Sequence, residues 1–429
     1  MKILAIETSC DETSVAILEC SGDLENLSAS WRIDVLAHSL NSQIDIHQEY
    51  GGVFPSVAKR EHARNLIPLL KTTLEEAYLF HNSAELWNRS NNNENFKKEV
   101  NKILEREPEL LEQFARIVPS IQVPEIDAIA VTVGPGLEPA LWVGLNFAKT
   151  LSLVWDKPLI PVNHMEGHIF SVLIQNREEN PKSEYRNSKQ TTNRKNVQNI
   201  ELGIRNYESD DSTHLSPFIF PAIALLISGG HTQLVLVKDW GEYEIIGETK
   251  DDAVGEAFDK VARMLSLPYP GGPEISKLAE IAREKNIQYT EKLPRPMINT
   301  DDFDFSFSGL KTSVLYKIKD RVLDEDEKIS IAREFEDAVT EVLVKKTKNA
   351  LIKSGATTLV VGGGVIANKH IRESLEEMTK EVGVEIKMPE KELTGDNAIM
   401  IGVAGYIKDR SQKSVVISQT LKADGNLRL

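Results

Sequence analysis

The chain has 429 residues, 41% of them apolar and 27% charged, and its 50 Lys and Arg against 65 Asp and Glu give a net charge of −15. At about 150 residues per domain this allows two or three domains and a sizeable core, and it excludes collagen-like, coiled-coil and wholly disordered chains. The longest apolar run, 217–227, is shorter than the about 18–20 residues of a membrane span, so no membrane association is expected. The opening MKILAIET is too short and too acidic for a secretion signal, and two cysteines, Cys10 and Cys20, cannot build a disulfide framework. The expectation is a cytoplasmic protein with reduced thiols. Its acidic balance argues against free-standing nucleic-acid binding, which needs a basic face.

In chain order, 2–8, 14–20 and 32–40 are β-branched-rich runs separated by polar turns, which predicts a three-strand meander. Leu66, Leu69, Leu70, Leu74 and Ala77 recur at helical spacing and predict a helix over 56–77. Residues 126–134 form an apolar run of the kind buried on both faces of a parallel sheet, and 141–154 is helical in pattern. The strand-turn-strand plan returns at 222 with AIALLI, SGGHT and QLVLV, followed by a strand at 243–249. An amphipathic helix over 251–265 follows, with Val254, Phe258, Val261 and Leu265 inward; then 357–377 reads as strand, glycine loop and helix. This predicts an α/β fold of two similar lobes about a central cleft, divided as 1–216 and 217–429, with the last helix packing back on the first lobe. Two polar stretches stand outside the plan. Residues 176–216, with seven apolar residues in 41, read as a disordered loop, and 82–120 as a surface helical excursion.

His164 and His168 in NHMEGH are spaced i, i+4, which puts both imidazoles on one helix face where they can share a metal; two satisfied histidines would show the same spacing. A zincin needs its Glu directly after the first His. Glu166 is two residues after it, about 200° round the helix, and Gly167 weakens the helix further, which counts against a metallopeptidase. Asp396 in LTGDNAIM is an attractive third ligand, although a carboxylate before an apolar helix also suits a plain N-cap. SGGHT (228–232), GGGVIAN (362–368) and GPGLEPA (134–140) are glycine loops at the ends of buried strands, which together favour a nucleotide-type ligand. Asp252, Glu256, Asp259 and Arg263 form a polar stripe that suits either a solvated face or a cleft wall with Asp259 on ribose or adenine. Glu7, Asp11 and Glu12 surround the first turn, where they suit a cation or nucleophile site or an ordinary acidic turn.

Taken in order, AIETSCDETSVAIL, the pattern H-x-x-YGGV-x-P-x-x-A-x-REH from His47 to His62, GPGL, NHMEGH, LISGGHT, GEAFDKVARML, YPGGP, FSFSGLKTSV, GGGVIAN and TGDNAIM resemble the TsaD family. These are tRNA N6-adenosine threonylcarbamoyltransferases, formerly labelled O-sialoglycoprotein endopeptidases. The resemblance spans the chain apart from the two polar stretches. It implies two tandem actin/hexokinase/Hsp70-like, ribonuclease H-like lobes, and one divalent metal, Fe(II) or Zn(II), on His164, His168 and Asp396. It also implies an adenylate ligand held by Leu226, Ile227, Ser228, Gly229, Gly230, Asp259, Gly272 and Asn368. The implied reaction moves a threonylcarbamoyl group from threonylcarbamoyl-AMP to N6 of the adenosine 3′ of the anticodon, position 37, in tRNAs reading ANN codons. Asp11 and Glu12 are candidates for the general base. Implied partners are tRNA, a TsaB-like paralogue and a TsaE-like ATPase, and tRNA affinity assembled across subunits would reconcile a polyanionic substrate with an acidic chain. Ser56 and the pair Glu138-Pro139 depart from the family pattern, outside the metal and adenylate sets. The alternative reading is an actin-like ATPase or sugar kinase, which has no use for a paired-histidine metal.

Overall fold

The computed structural model describes residues 1–22, 24, 31–81, 94–174, 218–289, 291–411 and 420–429. The stretch expected to be disordered, 176–216, lies outside the described residues. Lys2–Glu7 (β1) buries every residue after Lys2; Glu12–Ser21 (β2) and Arg32–Ser42 (β3) follow it antiparallel. Ala128–Gly134 (β4) and Leu159–Asn163 (β5) add in parallel on the other side, for the order β3-β2-β1-β4-β5. The second half repeats this with Ala222–Ile227 (β6), Thr232–Asp239 (β7), Glu242–Glu248 (β8), Thr358–Gly362 (β9) and Glu385–Lys387 (β10), in the order β8-β7-β6-β9-β10. Here β6, β7 and β8 are antiparallel, and β9 and β10 parallel to β6. Each half is therefore a ribonuclease H-like sheet, and the pair makes the two-lobed α/β architecture of the actin/hexokinase/Hsp70 type.

In the first half Ile44–Gln48 (α1), Pro55–Glu76 (α2), Glu94–Ile103 (α3), Pro108–Ile117 (α4), Glu138–Trp155 (α5) and His164–Phe170 (α6) connect the strands. In the second half these are Val254–Met264 (α7), Gly271–Glu284 (α8), Ser308–Ile318 (α9), Glu325–Ser354 (α10), Lys369–Val382 (α11) and Ala398–Ser411 (α12). Alternation of side chains along the strands sorts them into three core layers. Leu4 and Ile6 of β1 face α2 and α5, whereas Ile3 and Ala5 face the middle of the molecule. In β6, Ile223, Leu225 and Ile227 face the outer helices of the second lobe, while Ala222, Ala224 and Leu226 face the same middle layer. That middle layer is one apolar cluster drawn from both sheets, α6 and α12.

The excursion at 82–120 is, where described, the helices α3 and α4. It is more than a surface feature: Leu110, Phe114, Val118 and Ile121 are buried in the outer core of the first lobe, with Phe114 edge-on to Phe147 at 6.3 Å. The close approach of α12 to the first sheet depends on missing side chains. Ala5, Ala16 and Ala130 face it, a Cβ on Gly405 would stand 2.8 Å from that of Ala130, and one on Gly402 would run into Leu18. Gly405→Val is therefore expected to overpack this layer at a cost of about 2 kcal/mol, read as a lower urea midpoint. Gly364→Ala, at a position with nothing within 4 Å, is expected to leave the midpoint within about 0.5 kcal/mol of the parent.

Candidate active site

The two histidines owe their placement to the start of α6. The Asn163 side chain accepts from Met165 N at 2.8 Å while Glu166 accepts from Asn163 N, a capping box that sets His164 as the first helical residue. His168 follows one turn later; both rings are buried, 4.6 Å apart between centroids. Glu166 is committed to this cap and also accepts from the Tyr243 hydroxyl. Gly167 does not weaken the helix but lets it pack, since a Cβ there would lie 3.0 Å from Ile401 Cδ1 and 3.1 Å from Met400 Cγ.

Asp396 comes from the other half of the chain. It is not the cap of α12: Asn397 Oδ1 accepts from Met400 N at 3.0 Å, and Ser14 Oγ, from the first lobe, accepts from Ala398 N at 3.0 Å. The carboxylate of Asp396 is left to face the imidazoles, with Oδ1 3.3 Å from His164 Nε2 and 3.3 Å from His168 Nε2. From behind, His164 Nδ1 is 3.2 Å from Glu7 Oε2 and 3.2 Å from Ser9 Oγ. A carboxylate only accepts, so Nδ1 carries the proton, and in the neutral ring the Nε2 lone pair points toward Asp396. Glu7 is itself fully buried and fixed by Ser9 N at 2.5 Å and Thr132 Oγ1 at 2.5 Å. Burial alone would lower the His164 pKa, but the carboxylates of Asp396 and Glu7 outweigh it and raise it to about 10. Burial lowers that of His168. Burial also opposes ionisation of Asp396, yet His164 and His168 hold its carboxyl well below the usual range.

This donor set fits a divalent metal. The three ligand atoms lie within 4.8 Å of one another, and the 3.3 Å separations to Asp396 approach the about 3.4 Å edge of a tetrahedron with bonds of about 2.1 Å. His168 Nδ1 is buried without a hydrogen-bond partner, and its Nε2 meets only the Asp396 carboxylate at 3.3 Å, a contact that a cation held between them would replace with two ligand bonds. The Asp396 side chain keeps 19% of its surface exposed, which leaves an approach from the cleft.

The glycine loops divide into two kinds. Gly255, Gly362 and Gly363 let segments meet: a Cβ on Gly255 would be 2.7 Å from Ser228 O, one on Gly362 would be 2.7 Å from His168 O, and one on Gly363 would run into Ile227 O. Gly229, Gly230, Gly272 and Gly364 have nothing within 4 Å and face open space. The GPGL loop differs from the expectation of a ligand loop. Its approaches are to the chain itself, with Gly136 N donating to Gly425 O at 3.1 Å and Gly134 packed on Asp424 and Leu427.

Of the expected adenylate residues, Leu226 and Ile227 bury their side chains in opposite cores and leave only main chain for a ligand, whereas Ser228, Gly229 and Gly230 are accessible. Asp259 accepts from Gly271 N at 2.7 Å, and burial raises its pKa. Asn368 caps α11 through Ile371 N at 3.0 Å and donates to Glu336 at 2.5 Å. The rest of the polar stripe is paired: Asp252 with Lys260 and Lys311, Glu256 with Lys260, and Arg263 with the Gly51 carbonyl. Asp11 and Glu12 sit on the β1–β2 turn. Burial, then the neighbouring charges of Asp11 and Asp396, push the Glu12 carboxyl well above its usual pKa. His231 lies within electrostatic reach of both site histidines, with its pKa lowered to about 4, chiefly by burial.

Fold and site define a two-lobed α/β protein with paired histidines from one half and a carboxylate from the other meeting between the lobes. The sequence matches the TsaD family, tRNA N6-adenosine threonylcarbamoyltransferase, over residues 34–83, 108–185 and 209–403, and the chain belongs to that family. It is 38% identical over 411 residues to the tRNA N6-adenosine threonylcarbamoyltransferase of Paraburkholderia xenovorans (strain LB400), covering 95% of this chain and 92% of that one. It is 37% identical to the protein of the same name from Thermosipho africanus (strain TCF52B), over the full length of both. Among solved structures, full-length HypF in a phosphate- and nucleotide-bound form aligns at a TM-score of 0.44 and 14% identity, over 71% of this chain and 42% of HypF.

Sequence reasoning placed Glu7 at the first turn but did not assign it to His164. A lone Glu ending the apolar strand β1, beside the lone Thr132 of β4, was the available signal. Glu7→Gln keeps the shape but removes the carboxylate that orients His164. It is expected to weaken zinc binding by about 10–100-fold, measured by competition with a chromophoric chelator, with the circular dichroism spectrum unchanged.

Proposed function

We propose that this chain transfers the threonylcarbamoyl group of threonylcarbamoyl-AMP to the N6 amine of adenosine 37 in tRNAs reading ANN codons. The observation that carries the reading is the meeting of His164, His168 and Asp396 beside open glycine loops, in a chain of the TsaD family. His164, His168 and Asp396 would hold one Fe(II) or Zn(II), which when bound supplies a Lewis acid for negative charge on the carbamoyl or phosphate oxygens. Leu226 and Ile227 through their main chain, with Ser228, Gly229 and Gly230, line one side of the adenylate; Asp259, Gly272 and Asn368 line the other. The mixed anhydride is already activated, so the chain's main task is to position it against the amine and exclude water.

In the transfer, the adenosine N6 attacks the carbamoyl carbon, the bond to the phosphate oxygen breaks, and AMP departs with that oxygen's electrons. The amine proton goes to the Asp11–Glu12 pair. Glu12 suits this because burial and the negative charges around it raise its proton affinity. The peptidase reading depended on Glu166, and the commitment of that residue to the α6 cap removes its candidate base. With a net charge of −15, the chain would share tRNA binding with a TsaB-like paralogue and a TsaE-like ATPase in the cytoplasm. No helix among the described residues is long and apolar enough to cross a membrane.

Supplied with threonylcarbamoyl-AMP, tRNA and the partner subunits, the parent protein is expected to form threonylcarbamoyladenosine, followed by nucleoside mass spectrometry. His164→Ala is expected to lower the product at least 100-fold; equal product from both would sink the metal's part in the reading. The isolated chain is expected to bind tRNA weakly at physiological salt, by fluorescence anisotropy. Tight binding that persists in 0.5 M salt would contradict subunit-shared recognition.

A further inference from the structure

One buried group next to this site has no part in the reaction as described. His62, on α2, is fully buried, and it reaches across to the turn that carries Asp11 and Glu12. Its Nε2 is 3.0 Å from the Cys10 carbonyl oxygen and its Nδ1 is 2.7 Å from Thr13 Oγ1. A carbonyl only accepts, so Nε2 carries the hydrogen. Nδ1 is then an acceptor and takes the Thr13 hydroxyl proton. Burial lowers the His62 pKa to about 4, which keeps this tautomer neutral at physiological pH.

The ring is held in turn. Gln43 Nε2 approaches Nδ1 at 3.4 Å, and the Gln43 amide is oriented by His47 Nε2, 3.1 Å from its Oε1. Gln43 N donates to Asp11 O at 3.0 Å, and Ser42 Oγ donates to Glu12 Oε1 at 3.3 Å. One neutral imidazole thus spans both ends of the Cys10–Thr13 turn, and the start of α1 supports its middle. The charged and titratable groups facing His62 are Glu7 from β1 and His47 from α1.

We propose that His62 is a positioning residue for the transfer reaction: by clasping Cys10 and Thr13 it fixes where the Asp11 and Glu12 carboxyls stand in the cleft. This rests on the reading of those carboxyls as the proton acceptor. A displacement of about 1 Å at such a group costs about 100-fold in rate without touching the binding surfaces. The signature is a fall in kcat at unchanged KM and unchanged metal content.

The test uses the full chain with its partner subunits, tRNA and threonylcarbamoyl-AMP, and compares His62→Phe, His62→Gln, Asp11→Asn and Glu12→Gln. His62→Phe fills the site and removes both hydrogen bonds. Its kcat is expected to fall about 100-fold, with KM for both substrates within twofold and bound zinc unchanged. His62→Gln, whose amide can still donate to Cys10 O, is expected to recover at least tenfold of that loss. A second readout is independent of the proton-acceptor assignment. Cys10 lies on the clasped turn and is half-buried, whereas Cys20 is buried. Alkylation of Cys10 by a maleimide is expected to become severalfold faster in His62→Phe than in the parent, both measured in the absence of urea where each is fully folded. If His62→Phe and His62→Gln lose kcat only in proportion to lost folded protein, or if Cys10 labels at the parent rate while kcat is kept, the proposal is overturned. Full activity in both Asp11→Asn and Glu12→Gln together with the kcat loss in His62→Phe would instead sink the acceptor assignment and leave the clasp standing.

Discussion

Everything at this site hangs on a carboxylate from one half of the chain reaching two imidazoles from the other. His164 and His168 lie on α6, between the two sheets, and Asp396 precedes α12, more than two hundred residues later in the chain. Their 3.3 Å separations exist because three capping decisions cooperate. Asn163 with Glu166 fixes where α6 begins, Asn397 takes the cap of α12, and Ser14 satisfies a second amide at that same helix end. Each satisfies a backbone donor that would otherwise be stranded. Together they leave one carboxylate and two ring nitrogens with no better partners than one another or a cation.

The duplicated sheet explains why such a meeting is possible. Both sheets present one face to a single middle layer, and each contributes small residues there, Ala5 and Ala16 from one and Ala222 and Ala224 from the other. Glycines on α12 then bring its backbone against the first sheet, although the strand preceding it in sequence, β10, belongs to the second. The chain thus ties its lobes by a covalent crossover packed into an apolar layer. The donor set sits at the edge of that layer, with Gly362 against the His168 carbonyl and His231 of the SGGHT loop within electrostatic reach of both imidazoles.

Much of this was legible in the sequence because it is written in local patterns. The apolar runs at 2–8 and 222–227, the i, i+4 histidines and the glycine loops each follow from a few adjacent residues. The rest was not, because it depends on partners far away along the chain. Asp396 and Asn397 are both good caps, and which one caps is settled by the contact of α12 with Ser14. Gly134 and Gly136 look like ligand glycines, yet the space they open is taken by Asp424 and Leu427 at the first and by Ser9 at the second. The stretch 82–120 reads as a surface helical excursion, and the burial of Phe114 emerges only when Phe147 is beside it. Glu7 could be seen as an acid at a turn, but its role depends on Thr132 and His164 arriving from other strands and helices.

The shared middle layer also bears on how substrates are admitted. Opening the cleft by swinging one lobe away from the other would expose Ile3, Ala5 and Leu18 of one sheet and Ala224, Leu226 and Val360 of the other, all fully buried in one cluster. At about 25 cal/mol per Å² such an opening is costly. The lobes are therefore best treated as one body. At the rim, Arg263 of the second lobe grips the Gly51 carbonyl of the first, in the loop where Tyr50 and Phe54 are exposed and stacked on each other. A rigid donor set suits chemistry in which holding the reacting atoms still matters more than closing over them.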